Sequence, residues 1–251
     1  MPEWFWAGFW GFVAGSALLV GAGVGDLVAL GKRSIASVMA FGSGVLISAL
    51  SFDLMADAYR RGGFDSTSAG FLGGAVIYSL ANWFLSRHGA KHRKRSGEQQ
   101  PSEKDQPGSG LAIAVGALLD GIPESMVIGI SLLAGHGVSF VAVIAIFISN
   151  IPEGLSSSAG MKKAGRSRTY VFGLWGAITV ISGLAALLGY VGCRGTSGDF
   201  IAAITALAAG AMLAMLADTM IPEAFDEAQN WAGLITVAGF LLAFILTKLG
   251  G

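Results

Sequence analysis

The chain has 251 residues, of which 53% are hydrophobic and only 13% charged, with a formal net charge of zero and a mean hydropathy of +0.66. Soluble domains carry about a quarter charged residues, so the composition excludes a soluble domain, and the zero net charge removes any bulk case for nucleic acid. The lone Cys193 excludes an internal disulfide and any CxxC metal or redox motif, leaving an inert buried thiol.

Apolar stretches recur at lengths suited to crossing a bilayer, about 20 residues each. Eight are predicted: 4–30, 35–59, 66–86, 109–134, 137–160, 169–192, 198–225 and 229–248. They are continuously apolar rather than alternating, which predicts helices and not strands. The 38 glycines suit helices whose backbones approach closely, within one chain or across a homodimer. The opening MPEWFWAGFWGF has an acid and no basic segment, so it does not read as a cleaved signal. The first stretch is expected to stay, with Trp4, Trp6 and Trp10 near an interface.

The pattern breaks once, at RHGAKHRKRSGEQQPSEKDQPG (87–108), which is polar and charged and reads as a flexible, solvated basic loop. The chain therefore divides into 1–86 with three spans, the loop 87–108, 109–160 with spans four and five, and 161–251 with three more. Lys32, Arg33, six basic residues of the loop, Lys162, Lys163, Arg166 and Arg168 fall on one side, and Arg60, Arg61, Arg194 and Lys248 on the other. The richer side is expected to be cytoplasmic, with both termini outside. Two internal similarities recur. Asp120-Gly-Ile-Pro-Glu-Ser125 resembles Ser149-Asn-Ile-Pro-Glu-Gly154 at an offset of 29, and GVLISALSFDLMADAY (44–59) aligns loosely with GAMLAMLADTMIPEAF (210–225) at an offset of 166. Each pair crosses in opposite directions by the span count, a mark of secondary transporters with sites near midplane.

Apart from Asp199 at the very edge of its span, eight of the sixteen acids fall inside predicted spans: Asp26, Asp53, Asp57, Asp120, Glu124, Glu153, Asp218 and Glu223. Each costs on the order of 2.5–3.5 kcal/mol at a helix centre. No lysine or arginine lies well inside a span, so these acids are expected to lack basic partners. They must be protonated, hydrated or coordinating a cation. Asp26, Asp57 and Glu223 also suit span ends, where a carboxylate reaches water. Asp120 and Glu124 are i and i+4 and share a helix face. Pro123 and Pro152 are expected to break their helices and bare the carbonyls of Leu119 and Ile148 beside these acids. With Ser149, Asn150 and Glu153 from the next span, the oxygens form a hard cation site. Asp53, Asp57, Asp218 and Glu223 would line the way in or out, or hold protons between cycles. His88 and His92 are i and i+4 in a basic tail, and His136 sits in a tight external turn.

With these motifs the chain resembles the ZIP (Zrt/Irt-like) divalent metal transporters of bacterial type, over nearly its whole length. DGIPES and SNIPEG match the Pro-Glu motifs of ZIP spans four and five, and IPEAF matches a common pattern of the seventh. The resemblance implies an all-α membrane protein of eight transmembrane helices in a 3+2+3 bundle with inverted repeats. It implies transport of zinc or a related ion (manganese, iron or cadmium) toward the cytoplasm by alternating access, in a bacterial cytoplasmic membrane. By position, Asp120 stands for the usual fourth-span histidine, Gly121 for an asparagine, and Ser149 for a histidine or glutamine. Glu124 and Glu153 are retained, Asn150 is a ligand candidate, and Ser182 takes the place of a sixth-span acid. All three histidines lie in loops, so the centre has no imidazole and is expected to be harder and less selective, holding one ion rather than two. No resident cofactor is expected; the metal is cargo. The alternatives are a proton or monovalent-cation transporter on the same acids, and a transport-dead metal sensor. No His-Glu-x-x-His or Gly-x-Ser-x-Gly sequence occurs, so an enzyme is not expected.

Overall fold

A computed structural model describes residues 1–28, 30–135 and 137–250, and the described residues contain helices and no strand. His136 lies outside them. The helices in chain order are α1 (Glu3–Leu27), α2 (Lys32–Ala49), α3 (Met55–Leu85), α4 (Ser109–Ser131), α5 (Phe140–Lys163), α6 (Arg168–Cys193), α7 (Gly198–Met215), α8 (Ile221–Ala228) and α9 (Ala232–Gly250). Wider π turns join α2 to α3 (Leu50–Leu54) and α7 to α8 (Leu216–Met220). Three helix starts carry the side-chain cap that a first turn favours: Ser139, Ser167 and Ser197 each accept from the N–H three residues on.

Among the described residues, six helical runs are long and apolar enough to cross a membrane: Glu3–Leu27, Lys32–Ala90, Ser109–Ala134, Phe140–Lys163, Arg168–Cys193 and Gly198–Leu249. The two long runs are interrupted, one at Gly63, where φ is 65°, and the other at Gln229, where φ is 42°. Outward faces are apolar. Leu72, Val76, Ile77, Leu80, Trp83 and Phe84 of α3 are all more than half exposed, a surface that suits lipid rather than water.

Packing follows the looser of the two sequence similarities. The π turns lie at positions 50 and 216, separated by the same offset of 166. Position 56 of the first copy is alanine where the second has Pro222, so the π turn belongs to the repeat and not to proline. The two copies pack crosswise: α2 runs along α9, and α7 along α3. Gly44 and Gly210 again differ by 166. A Cβ on either would stand 1.9 Å from a carbonyl of the partnering helix, Thr236 and Phe71 respectively. Only glycine lets those backbones meet. The remaining helices pack α1 against α5 and α6, and α4 against α6.

The prolines depart from expectation. Both α4 and α5 run without interruption through Pro123 and Pro152. A proline forfeits one backbone bond, and the surrounding packing keeps the turn helical. The irregular backbone sits at Asp53 and Asp218 instead, inside the two π turns.

Candidate cation site

Residues Asp120 and Glu124 of α4 and Glu153 of α5 are all buried, with 1%, 1% and 4% of their surface exposed. The expectation that these acids lack basic partners is overturned, and so is the solvated reading of the loop residues around them. The segment after α3 turns inward, burying Arg93 and Lys94. Asp120 lies eleven residues beyond the start of α4 and Glu153 ten before the end of α5, so the segment descends about 15 Å into the bundle. The physical reason is charge. Buried carboxylates are costly alone, and the nearest basic run is tethered within reach.

Arg93 grips Asp120 with two parallel bonds, Nε to Oδ2 and a terminal nitrogen to Oδ1, each 2.8 Å. Such paired geometry is the strongest a carboxylate finds. Tyr78 of α3 accepts from Arg93 at 2.7 Å and donates to Asp120 at 2.7 Å. The other terminal nitrogen of Arg93 donates to Asn82, whose amide donates to Asp218 at 3.1 Å. Lys94 places Nζ 2.7 Å from Glu153, 3.3 Å from Asp120 and 3.1 Å from the sulfur of Met215. Burial alone would pull the Lys94 ammonium down, but the carboxylates of Asp120, Glu153 and Glu124 outweigh it and hold it above the ordinary lysine range. The Arg93 guanidinium is raised likewise, its burial overcome by Asp120.

Glu124 differs from its neighbours. Neither of its carboxylate oxygens has a hydrogen-bond partner, although both are buried.

Below this centre the same segment is fastened again. Glu223 accepts from the backbone N–H of Ser96 at 2.8 Å and from its hydroxyl, and faces Arg95 at 3.4 Å. Arg95 also reaches Asp226 and the carbonyl of Pro222. Ser156 lies 2.6 Å from the carbonyl of Lys94. The Gln100 amide is shared among the carbonyls of Arg93, Arg95 and Ser157. Gly160 of α5 leaves the space: a Cβ there would stand 2.0 Å from the Arg95 carbonyl.

Other expected residues scatter. The Ser149 hydroxyl donates to its own helix at Ile146, and the Asn150 amide donates to the carbonyl of Ala14 on α1. Ser182 is buried where α6 crosses Gly15 of α1. Asp53 accepts from Ser139 at 2.9 Å, while Asp57 pairs with Arg61 at 2.6 Å. Asp26 pairs with Arg168 at 3.0 Å. His88 turns its ring to Phe84, away from any pairing with His92. Among the described residues no three of His, Cys, Asp and Glu stand together as a ready metal cluster. The sequence reading missed Arg93, Lys94, Tyr78, Asn82 and Met215. Tyr78 and Asn82, i and i+4 in an otherwise apolar stretch, were the visible signal. Nothing in HRKR marks which two cations turn inward.

No protein-family model matches the chain. The chain is 28% identical over 191 residues to an Arabidopsis thaliana protein described as "Putative zinc transporter". That alignment covers 74% of this chain and 29% of the plant protein, so the chain spans about three tenths of its relative's length.

Proposed function

We propose that the chain is a membrane carrier for a divalent metal cation, working in the manner of the ZIP transporters. The observation that carries this reading is Glu124: a fully buried carboxylate with no partner, one helical turn from Asp120, facing a centre where a cation already sits. A buried charge left bare is among the costliest features of a fold, and a protein retains one where a ligand from outside completes it. The similarity to a protein described as a zinc transporter supports the same reading.

The chain would cross eight times in a 3+2+3 arrangement. A run of 59 residues such as Lys32–Ala90 would measure about 90 Å as one straight helix, against a hydrocarbon core of about 30 Å. The interruptions at Gly63 and Gln229 divide the two long runs where a return crossing needs it. Both termini would lie outside, and the crosswise packing of the repeats supplies two bundles for alternating access toward the cytoplasm. The cation would bind Asp120, Glu124 and Glu153. Asp53, Asp57, Asp218 and Glu223 would line its path, and Asn150 would serve chiefly to hold α5 against α1. Met215 adds a thioether to a centre otherwise built of oxygen, which favours zinc or cadmium more than an all-oxygen site would.

Vesicles carrying the purified protein should accumulate zinc, and Glu124→Gln, which keeps the shape and removes the charge, should abolish uptake while the protein stays folded. Undiminished uptake by that variant would sink the assignment. A second reading, a transport-dead sensor, is favoured by one observation: Arg93 and Lys94 already fill the centre. Metal binding without any uptake by the wild-type protein would select it.

A further inference from the structure

The basic segment poses a direct conflict with cargo. A lysine ammonium and a divalent metal cation need the same environment, carboxylate oxygens converging from two helices. Lys94 Nζ has that environment, with Glu153 at 2.7 Å, Asp120 at 3.3 Å and the Met215 sulfur at 3.1 Å. Metal–oxygen and metal–sulfur distances of about 2.0–2.3 Å leave no room for a zinc ion beside that ammonium. Two cations at such spacing also repel strongly in a dry interior.

We propose that Lys94 is a tethered cation occupying the cargo position, and that Arg93–Gln100 is a built-in stopper which an incoming metal must displace. The inference rests on the cation reading above and adds its regulation. Three features favour a stopper over a permanent wall. Lys94 is carried by turns rather than by a helix, so its withdrawal breaks no regular element. The fastenings of its segment are polar bonds that another cation or water can replace: Arg93 to Asp120, Glu223 and Ser156 at a second level, Gln100 at a third. Glu124 is left bare beside it, so the ammonium completes only part of the centre. A doubly charged ion that recruits Glu124 as well gains an interaction Lys94 does not make, and that difference is what lets cargo win the exchange. While the stopper is seated, the affinity observed for metal falls by the fraction of molecules in which it is withdrawn.

The test uses the full chain in detergent, with zinc and manganese as probes. Equilibrium metal binding and amide hydrogen exchange over residues 92–100 are measured on wild type, Lys94→Gln and Gly160→Ala. The alanine is a needed control: it keeps every acid and both cations of the centre, suits a helix, and its Cβ cannot coexist with the seated Arg95 carbonyl. Wild type should exchange slowly over 92–100 without metal and faster with it. Both variants should bind metal about tenfold or more tighter, and Gly160→Ala should exchange fast before metal is added. Metal binding to wild type that leaves exchange over 92–100 unchanged would overturn the stopper and spare the cation site. Binding by both variants no tighter than wild type would do the same. Binding by none of the three proteins would overturn the cation reading, and the stopper with it.

Discussion

Two carboxyl groups on one face of α4, four residues apart, stand in opposite conditions. Asp120 is enclosed by Arg93, Tyr78 and Lys94, whereas Glu124 is equally buried and touches no donor at all. The difference is one of reach. Lys94 and Arg93 enter from the end of α4 where Ser109 lies, and extended side chains from that level arrive at Asp120 first. One further turn, about 5.4 Å along the axis, lies beyond them. The inner half of the centre is therefore satisfied by the chain itself, and the outer half is left for something else.

Breaking the satisfied half should have the largest effect. Arg93→Ala strips Asp120 of its paired bonds and leaves a buried charge uncompensated, an expected loss of about 3–5 kcal/mol. Purified protein should show a sharply lower melting temperature or fail to accumulate; a melting curve matching wild type would mean that the pair is solvated. The bare half should respond with the opposite sign. Glu124→Met removes an unsatisfied group and fills the same space, so stability should rise by about 1–3 kcal/mol while metal binding is lost. Stability and function separate at one position and coincide at the other. Met215→Leu sharpens the contrast with a smaller change: removing the sulfur should lower the preference for zinc over manganese by about fivefold, read by competition between the two metals.

Much of the helical frame was legible because its physics is local. Long apolar stretches, glycines at tight crossings and the 166-residue offset all belong to single helices or pairs of them. Asp120, Glu124 and Glu153 were visible as acids where acids are costly. What could not be read was the partner. Lys94 lies 59 residues from Glu153 in sequence, and a basic loop next to apolar helices has the composition of a solvated one whether it folds inward or not. The proline reading failed for a related reason. Pro123 and Pro152 each remove one hydrogen bond, and whether the helix breaks there is decided by neighbours that the sequence does not place. The π turns, which carry no proline signature in their first copy, were invisible for the same cause.

The basic segment has an outer fastening as well, and it should behave unlike the inner one. Glu103 accepts from Arg166 and from the backbone N–H groups of Gly108 and Gly110, closing the turn that leads into α4. The Arg166 hydrogen bond, followed by those two N–H groups, holds its carboxyl down to about 2 from an ordinary 4.5. A depressed carboxyl adds stability that is complete above its unfolded value and disappears as the pH falls through the folded one. Hydrogen exchange at residues 108–110, corrected for the intrinsic effect of pH, should therefore be level from neutral pH to about 4.5, quicken progressively as the pH falls from there towards 2, and level off below it. Glu103 is exposed, so added salt should loosen these amides too, whereas Arg93 and Lys94, sealed from water, should hold residues 93–100 against the same salt. Equal loosening of both segments by salt would mean that the inner cations reach solvent, and the contrast between the two fastenings would fail.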